Sequence, residues 1–95
     1  MPRIKLTVFG TVQGVGFRYH TRLKALEIGL TGYVRNQPEG TVEIVANGDD
    51  NQLHQLIEWA HQGSPAAQVE RIQLERLEIK EQLSDTRFES FVIDY

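Results

Sequence analysis

Three glycines and one arginine occur within the nine residues GTVQGVGFR, which run from Gly10 to Arg18. Glycine tolerates positive φ angles and lets a backbone approach a ligand closely, so the amides of residues 13–18 could turn toward one centre. A concave group of N–H donors binds an anion, and a guanidinium adds a planar fork that matches two phosphate oxygens. The segment therefore predicts an anion site, with phosphate as the best geometric match, formed by Gln13, Gly14, Val15, Gly16, Phe17 and Arg18.

Two interpretations of these residues stay open at this point. The glycines would also serve as a simple corner between a strand and a helix, and their spacing alone does not separate the two interpretations. Asn36 presents a similar choice, because an asparagine before a Pro-containing turn usually bonds to the turn backbone. Its carboxamide has an acceptor and donors, so it could instead orient a water molecule without changing charge. The position of Asn36 relative to the loop decides between these roles.

Other sites of chemistry are disfavoured. The glycines fit neither Gly-x-x-x-x-Gly-Lys-Ser/Thr nor Gly-x-Gly-x-x-Gly, so no nucleotide loop of those kinds is predicted. His54 and His61 are seven residues apart, too far for a paired helical metal site, and His20 is taken as a surface or packing residue. Nothing places Ser64 beside a histidine and a carboxylate as in a catalytic triad. We expect no metal and no cofactor.

Composition limits the class of protein. The chain has 95 residues, of which 40% are apolar and 24% charged, so a single domain spanning 1–95 is expected. It contains no cysteine, which excludes thiol chemistry and suits a reducing compartment. A formal net charge of −3 argues against a nucleic-acid groove. No run of about 18 apolar residues occurs, so neither membrane spanning nor export is indicated and a cytoplasmic location is expected.

The first half of the chain contains three segments in which apolar and polar residues alternate, as in strands, and one helical segment between them. Residues 3–12 form the first predicted strand, and residues 31–36 and 41–47 form two more, joined by the turn QPEG in a hairpin. Between them a helix is predicted over residues 19–28, ended by Gly29. Its predicted buried stripe consists of Tyr19, Leu23, Leu26 and Leu30.

The second half of the chain repeats a helix and adds extended segments. Asp49 with Gln52 three residues later resembles a capping box, and the helix it opens should end near Gly63. Residues 69–80 and 87–95 look extended, and Leu74 is out of phase with Leu77, which predicts a bulge or break. The predicted buried stripe of this helix is Leu53, Leu56, Ile57 and Ala60.

The order of these elements predicts an α+β fold of the split βαβ, or ferredoxin-like, type. It consists of βαββαβ plus a C-terminal strand, with two helices on one face of an antiparallel sheet. In that topology the first and second strands run the same way with one strand between them. Both therefore end at one edge of the sheet, which brings the glycine loop and Asn36 into one neighbourhood.

The chain resembles the acylphosphatases over essentially its whole length. The resemblance lies in VQGVGFR (residues 12–18), GYVRN (residues 32–36) followed by PEGTVEI, and GSPAAQVERI (residues 63–72). It implies a ferredoxin-like, metal-free hydrolase that cleaves acyl phosphates to a carboxylate and inorganic phosphate, and a monomer is expected. Carried onto this sequence, Arg18 is the catalytic arginine that binds phosphate, Asn36 positions the attacking water, and the amides of residues 13–18 form the phosphate cradle.

Two other functions are compatible with parts of this sequence pattern. A non-catalytic anion-binding or interaction module could use the same fold, because a fold alone does not specify chemistry. An RNA-recognition domain shares the order of elements, but it needs aromatic residues on its central strands. Here the segment TVEIVAN has none and the chain is acidic, which disfavours RNA binding.

Overall fold

A computed structural model describes residues 2–77 and 90–94 of the chain. These residues form two helices and five strands in the predicted order. The elements are β1 (Arg3–Thr11), α1 (Phe17–Ile28), β2 (Thr31–Asn36), β3 (Val42–Asn47), α2 (Asp50–Gln62), β4 (Gln68–Leu77) and β5 (Phe91–Ile93). Parts of the predicted extended segments 69–80 and 87–95, namely residues 78–80, 87–89 and 95, lie outside the described residues.

The strands form one sheet in the order β4-β1-β3-β2-β5. β1 pairs antiparallel with β3 and β4, and β2 pairs antiparallel with β3, as predicted. β5 adds to the edge of β2 in the parallel direction, so the sheet is mixed rather than antiparallel throughout. β1 and β2 therefore run the same way with β3 between them, which confirms the ferredoxin-like arrangement.

A single hydrophobic core lies between one face of the sheet and both helices. Alternation along the strands turns every second side chain toward the helices, so Leu6 and Val34 both oppose Ile44 in register. All three side chains are fully buried, and the α2 residues Leu53, Leu56 and Ala60 pack in the same cluster. The predicted stripe of α2 is thereby confirmed, with Ile57 at its partly buried margin.

The boundaries of α2 follow from local hydrogen bonds. The side chain of Asp49 accepts from the Gln52 amide at 2.8 Å, and the Gln52 side chain accepts from the Asp49 amide at 2.9 Å. This capping box satisfies two donors at the start of the helix. The helix ends at Gln62, and the amide of Gly63 closes the last turn by donating to the Trp59 carbonyl at 2.8 Å.

The buried face predicted for α1 is wrong. Tyr19, Leu23 and Leu26 are 56%, 44% and 39% exposed, and the helix buries Phe17, Thr21 and Ala25 instead. Helical residues two apart point about 200° apart around the axis, so the two sets occupy opposite sides. The helix also begins at Phe17, two residues earlier than predicted, and anchoring that ring in the core sets its rotation. Leu30, beyond the helix, is buried as expected.

β4 does contain a bulge, as predicted, but the bulge lies at Glu70 rather than between Leu74 and Leu77. β4 pairs with β1 without interruption from Arg71 to Leu77, so Leu74 and Leu77 simply face opposite sides of the sheet. The irregularity falls earlier, where Phe9 and Gly10 of β1 oppose Arg71 and Val69 and Glu70 is skipped. Leu77 is apolar but lies on the face of the sheet away from the helices. The predicted bulge between Leu74 and Leu77 assumed instead that both leucines face the core.

The same substitution on the two helices tests the corrected rotation of α1. We expect Leu56→Ala to lower the free energy of unfolding by about 2 to 5 kcal/mol, because it leaves a cavity in the core. Leu23→Ala should change it by only about 0.5 kcal/mol, since that side chain faces solvent. Urea denaturation followed by circular dichroism measures both. Equal costs for the two variants would mean that Leu23 is buried after all.

Candidate active site

A cavity of about 150 Å³ lies where β1 and β2 both end. Arg18 of α1 and Asn36 of β2, the two side chains predicted to perform chemistry, line it together. The topology explains the meeting, because β1 and β2 are parallel with one strand between them, roughly 10 Å apart at about 4.8 Å per strand. The lining residues are Val12, Gly14, Gly16, Phe17, Arg18, Tyr19, Asn36 and Ile93.

The loop between β1 and α1 depends on two glycines in the left-handed region. Gly14 has a φ of 76° and Gly16 a φ of 78°. An added Cβ at Gly14 would meet no atom within 4 Å, so this glycine is required by its backbone angle rather than by space. These two positive φ angles turn the chain sharply between Val12 and the first residue of α1.

The N-terminus of α1 faces the cavity through backbone rather than through a capping side chain. Gly16 is the N-cap residue, no side chain caps the helix there, and its first turn contains no acidic residue. α2, by contrast, uses Asp49 and Gln52 to occupy its first amides. No side chain of the described residues caps the start of α1, and Gly16, Phe17 and Arg18 at this terminus line the cavity, where the positive end of the helix dipole favours an anion.

The loop is tied to the β2–β3 turn by the side chain of Gln13. Its Nε2 atom donates to the carbonyl oxygens of Gln37 and Thr41, each at 2.9 Å. Those two residues close the turn itself, because the Gln37 amide also donates to the Thr41 carbonyl at 2.9 Å. Gln13 thus links the loop that precedes Arg18 to the turn that follows Asn36.

The other side of the loop is held against the end of α2. Ser64, 2% exposed, donates through its hydroxyl to the carbonyl oxygen of Val15 at 3.0 Å. The Phe17 ring packs against Trp59 with 5.6 Å between centroids, and it also approaches Gly63 closely. An added Cβ at Gly63 would lie 3.0 Å from the Phe17 ring. The GSP segment after α2 therefore supports the loop by packing and one hydrogen bond.

Asn36 lies on the helix side of β2, two residues after the buried Val34. Its neighbours Arg35 and Gln37 point to the other face of the sheet, where both donate to Glu43. The Oδ1 atom of Asn36 is buried and has no hydrogen-bond partner among the described residues. Of these three consecutive polar residues, Asn36 is the one that lines the cavity of about 150 Å³, and its Oδ1 atom is free to accept a further hydrogen bond.

Glu43 organises the opposite face of the β2–β3 hairpin. Although it points away from the helices, it is only 4% exposed, and it accepts hydrogen bonds from Tyr33 at 3.0 Å, Arg35 at 3.0 Å and Gln37 at 2.9 Å. Burial and then the hydrogen bond to Glu43 raise the pKa of the Tyr33 phenol above its ordinary value. The hydrogen bond to Glu43 also raises the pKa of the Arg35 guanidinium.

A second cavity of about 310 Å³ adjoins the first on the side of the β2–β3 turn. Arg18 and Asn36 line both cavities, so they stand at the junction. The second cavity is polar, and Asp94 and Arg35 face each other there at 3.9 Å. Its lining residues are Arg18, Arg35, Asn36, Gln37, Pro38 and Asp94. The first cavity therefore adds apolar side chains from α1 and β5 to the junction, and the second adds polar side chains from the turn.

The structure separates the six residues predicted for the loop site into two groups. Gly14, Gly16, Phe17 and Arg18 line the cavity, whereas the side chain of Gln13 bonds to the turn and that of Val15 packs against the core. Sequence reasoning missed Tyr19, which was assigned to a buried stripe, and Ile93 of β5. The one sequence signal for Tyr19 was its position directly after Arg18, because two consecutive residues at a helix N-terminus both lie near any ligand that binds there.

The fold and site define a class of protein: a ferredoxin-like domain in which a glycine loop, an arginine and an asparagine share one cavity. Comparisons with known proteins refine the class. Residues 4–93 match the sequence model of the acylphosphatase family. The chain is 50% identical over 78 residues to an acylphosphatase of Acaryochloris marina, an alignment that covers 79% of this chain and 84% of that protein.

Two further matches extend over the full length. An acylphosphatase of Pasteurella multocida is 44% identical, with 100% of both chains covered. The crystal structure of acylphosphatase from Bacillus subtilis superposes with a TM-score of 0.88 at 36% identity, again covering 100% of both chains. The chain therefore belongs to the acylphosphatase family.

Removing the Gln13 side chain tests whether it holds the loop in register with Asn36. We expect Gln13→Ala to lower kcat/KM for an acyl phosphate by roughly ten- to a hundredfold, because a small misplacement of catalytic groups has effects of that size. Gln13→Glu should be at least as damaging, since a carboxylate cannot donate to the two carbonyl oxygens. Gln55→Ala, exposed on α2, is the matched control. Full activity in Gln13→Ala would contradict the positioning role.

Proposed function

We propose that Arg18, Asn36 and the backbone amides of residues 13–18 are the apparatus with which this member of the acylphosphatase family hydrolyses acyl phosphates. In this proposal the loop amides and Arg18 bind the phosphoryl oxygens. Asn36 holds the attacking water. The observation that carries the proposal is the shared cavity, because Arg18 and Asn36 come from different elements and meet only through the fold.

The reaction converts an acyl phosphate and water to a carboxylate and inorganic phosphate. The water oxygen attacks phosphorus in line as the bond from phosphorus to the acyl oxygen breaks, and that electron pair leaves on the carboxylate. A phosphate oxygen accepts the proton that the water gives up. No side chain forms a covalent intermediate in this scheme, so the protein contributes positioning and electrostatic stabilisation.

The electrostatics of the site support phosphate as the group bound there. The positive end of the α1 dipole, the first amides of that helix and the Arg18 guanidinium all favour negative charge. Among the described residues that line the two cavities, Asp94 is the one carboxylate, and it faces Arg35 at 3.9 Å. Excess positive charge beside the loop is what a transferring phosphoryl group requires.

The chemistry of the leaving group supports hydrolysis without a metal ion. A carboxylic acid has a pKa of about 4, so a carboxylate departs without prior protonation or strong Lewis-acid assistance. Within residues 2–77 and 90–94, no group of three or more His, Cys, Asp or Glu side chains is arranged to hold a metal ion. The proposal therefore assigns all phosphate binding to the loop and Arg18, with no cofactor.

The remaining parts of the proposal concern partners and location. We infer a monomer that acts on a small-molecule acyl phosphate in the cytoplasm and binds no nucleic acid. The net charge of −3 supports the inference that the protein binds no nucleic acid, and the absence of cysteine suits a reducing compartment such as the cytoplasm. Neither helix of the described chain has the length and apolarity to cross a membrane.

Kinetics of two variants should separate the roles of the two side chains. Arg18→Ala should raise KM and the inhibition constant of inorganic phosphate and also lower kcat, because the guanidinium contacts the phosphate before and during reaction. Asn36→Ala should mainly lower kcat, by about a hundredfold or about 3 kcal/mol, as expected for one lost preorganised group. Steady-state hydrolysis of benzoyl phosphate, with phosphate as competitor, measures both effects.

Matched controls are available for both substitutions. Arg76→Ala removes an exposed guanidinium from β4, where it pairs with Asp50 at 3.1 Å and lines neither cavity. Asn51→Ala removes an exposed carboxamide from α2. If Asn36→Ala turned over at the rate of Asn51→Ala, Asn36 would not position the water.

Metal independence is tested by assaying the wild-type protein with and without EDTA. We expect kcat and KM for benzoyl phosphate to be unchanged by the chelator, because the loop and Arg18 supply the positive charge. Mg²⁺ and Zn²⁺ added back after chelation should bring no increase in rate. Activity that disappears with EDTA and returns with a metal would contradict the mechanism, and no turnover under any condition would favour the non-catalytic anion-binding module.

A further inference from the structure

Among the described residues that line the cavity shared by Arg18 and Asn36, Tyr19 is the one with an exposed, largely apolar side chain. It is 56% exposed, whereas Val12 and Phe17, which also line that cavity, are 1% exposed and belong to the core. Ile93 of β5 lines the same cavity from the other side and is partly buried. A molecule bound at the cavity and extending outward therefore meets the Tyr19 ring and Ile93 first.

This apolar surface continues away from the site along α1. Leu23 and Leu26 follow Tyr19 at spacings of four and three residues, so all three lie on one side of the helix. The helix has turned its smaller residues Thr21 and Ala25 to the core and left these three larger ones in solvent. The Tyr19 ring makes an edge-on contact with the His20 ring, with 5.3 Å between centroids, but it is not part of the hydrophobic core.

The in-line geometry of the reaction divides the two cavities between water and leaving group. The attacking oxygen and the leaving oxygen lie on opposite sides of phosphorus. The cavity beside the β2–β3 turn is polar, with Arg35, Gln37 and Asp94 on its lining, and it suits the water. The acyl group then departs on the side of α1 and β5, toward Tyr19 and Ile93.

We propose that Tyr19, with Ile93, forms the acyl-group subsite and makes the enzyme prefer acyl phosphates with aromatic or bulky apolar acyl groups. The proposal rests on the proposed function, because the cavity must first hold the phosphoryl end of the substrate. Burying an apolar acyl group against these side chains removes nonpolar surface from water. Small acyl groups such as acetyl do not reach the ring and gain little from it.

A comparison of benzoyl phosphate with acetyl phosphate tests the subsite. Tyr19→Ala should lower kcat/KM for benzoyl phosphate by about tenfold, an effect within the range of small changes in apolar pockets. Its kcat/KM for acetyl phosphate and its inhibition by inorganic phosphate should match the wild type. Tyr19→Phe should retain the preference for benzoyl phosphate, and Leu26→Ala, exposed on the same side of α1 but outside the cavity, should retain it too.

A probe that cannot be hydrolysed separates binding from turnover. Phenacylphosphonate, in which a methylene group replaces the bridging oxygen of benzoyl phosphate, should bind Tyr19→Ala about tenfold more weakly than the wild type by calorimetry. Acetonylphosphonate, the matching analogue of acetyl phosphate, should bind both proteins alike. Circular dichroism confirms that the variants are folded before either measurement.

The other outcomes overturn the inference in distinguishable ways. Equal losses for benzoyl and acetyl phosphate in Tyr19→Ala would mean that Tyr19 acts through the start of α1 rather than on the acyl group. No loss with either substrate would place the acyl group elsewhere. A wild-type protein that hydrolyses neither substrate would refute the proposed function itself, and the acyl subsite with it.

Discussion

The arrangement of the site depends on removing the freedom of the loop between β1 and α1. Glycines at 14 and 16 give this loop the positive φ angles that it needs, but ordering each such residue costs about 1 to 2 kcal/mol of conformational entropy. The surrounding structure offsets that cost from two directions. Gln13 bonds to the turn after β2, and Ser64 with the Phe17 ring holds the loop to the end of α2. A permissive backbone is thereby fixed in one shape by rigid elements on both sides.

The β2–β3 hairpin keeps two sets of polar groups apart by the alternation of strand side chains. Arg35 and Gln37 turn to one face, where the buried Glu43 accepts hydrogen bonds from both. Asn36, between them, turns to the other face and lines the cavity. A buried carboxylate without such donors would be costly, so the network around Glu43 also fixes the backbone that presents Asn36. Pairing of β2 with β3 therefore fixes the backbone of Asn36, while its carboxamide remains available to the cavity.

Sequence patterns predicted the parts of this molecule that local rules control. The capping box of Asp49 and Gln52, the hairpin and the parallel course of β1 and β2 all follow from neighbouring residues or from topology. The rotation of α1 did not, because two apolar sets share the helical period and the larger one is on the surface. Only the three-dimensional packing of Phe17 against Trp59 and Gly63 selects the buried set. The hydrogen bonds of Gln13 were equally invisible, since their acceptors are backbone carbonyls 24 and 28 residues away.

The rotation of α1 also connects the two ends of a substrate. Arg18 and Tyr19 are consecutive residues at the start of one helix, about 100° apart around its axis. Arg18 therefore faces the junction of the two cavities, and Tyr19 faces the apolar exit that it forms with Ile93. β5 completes that exit because it pairs with β2 beside α1, where Arg22 donates to the Phe91 carbonyl at 3.2 Å. A helix anchored by Phe17 therefore holds the charged and the apolar contacts in one fixed relation. Arg18, which is proposed to bind phosphate, and Tyr19, which is proposed to meet the acyl group, are thereby placed side by side at the start of one helix.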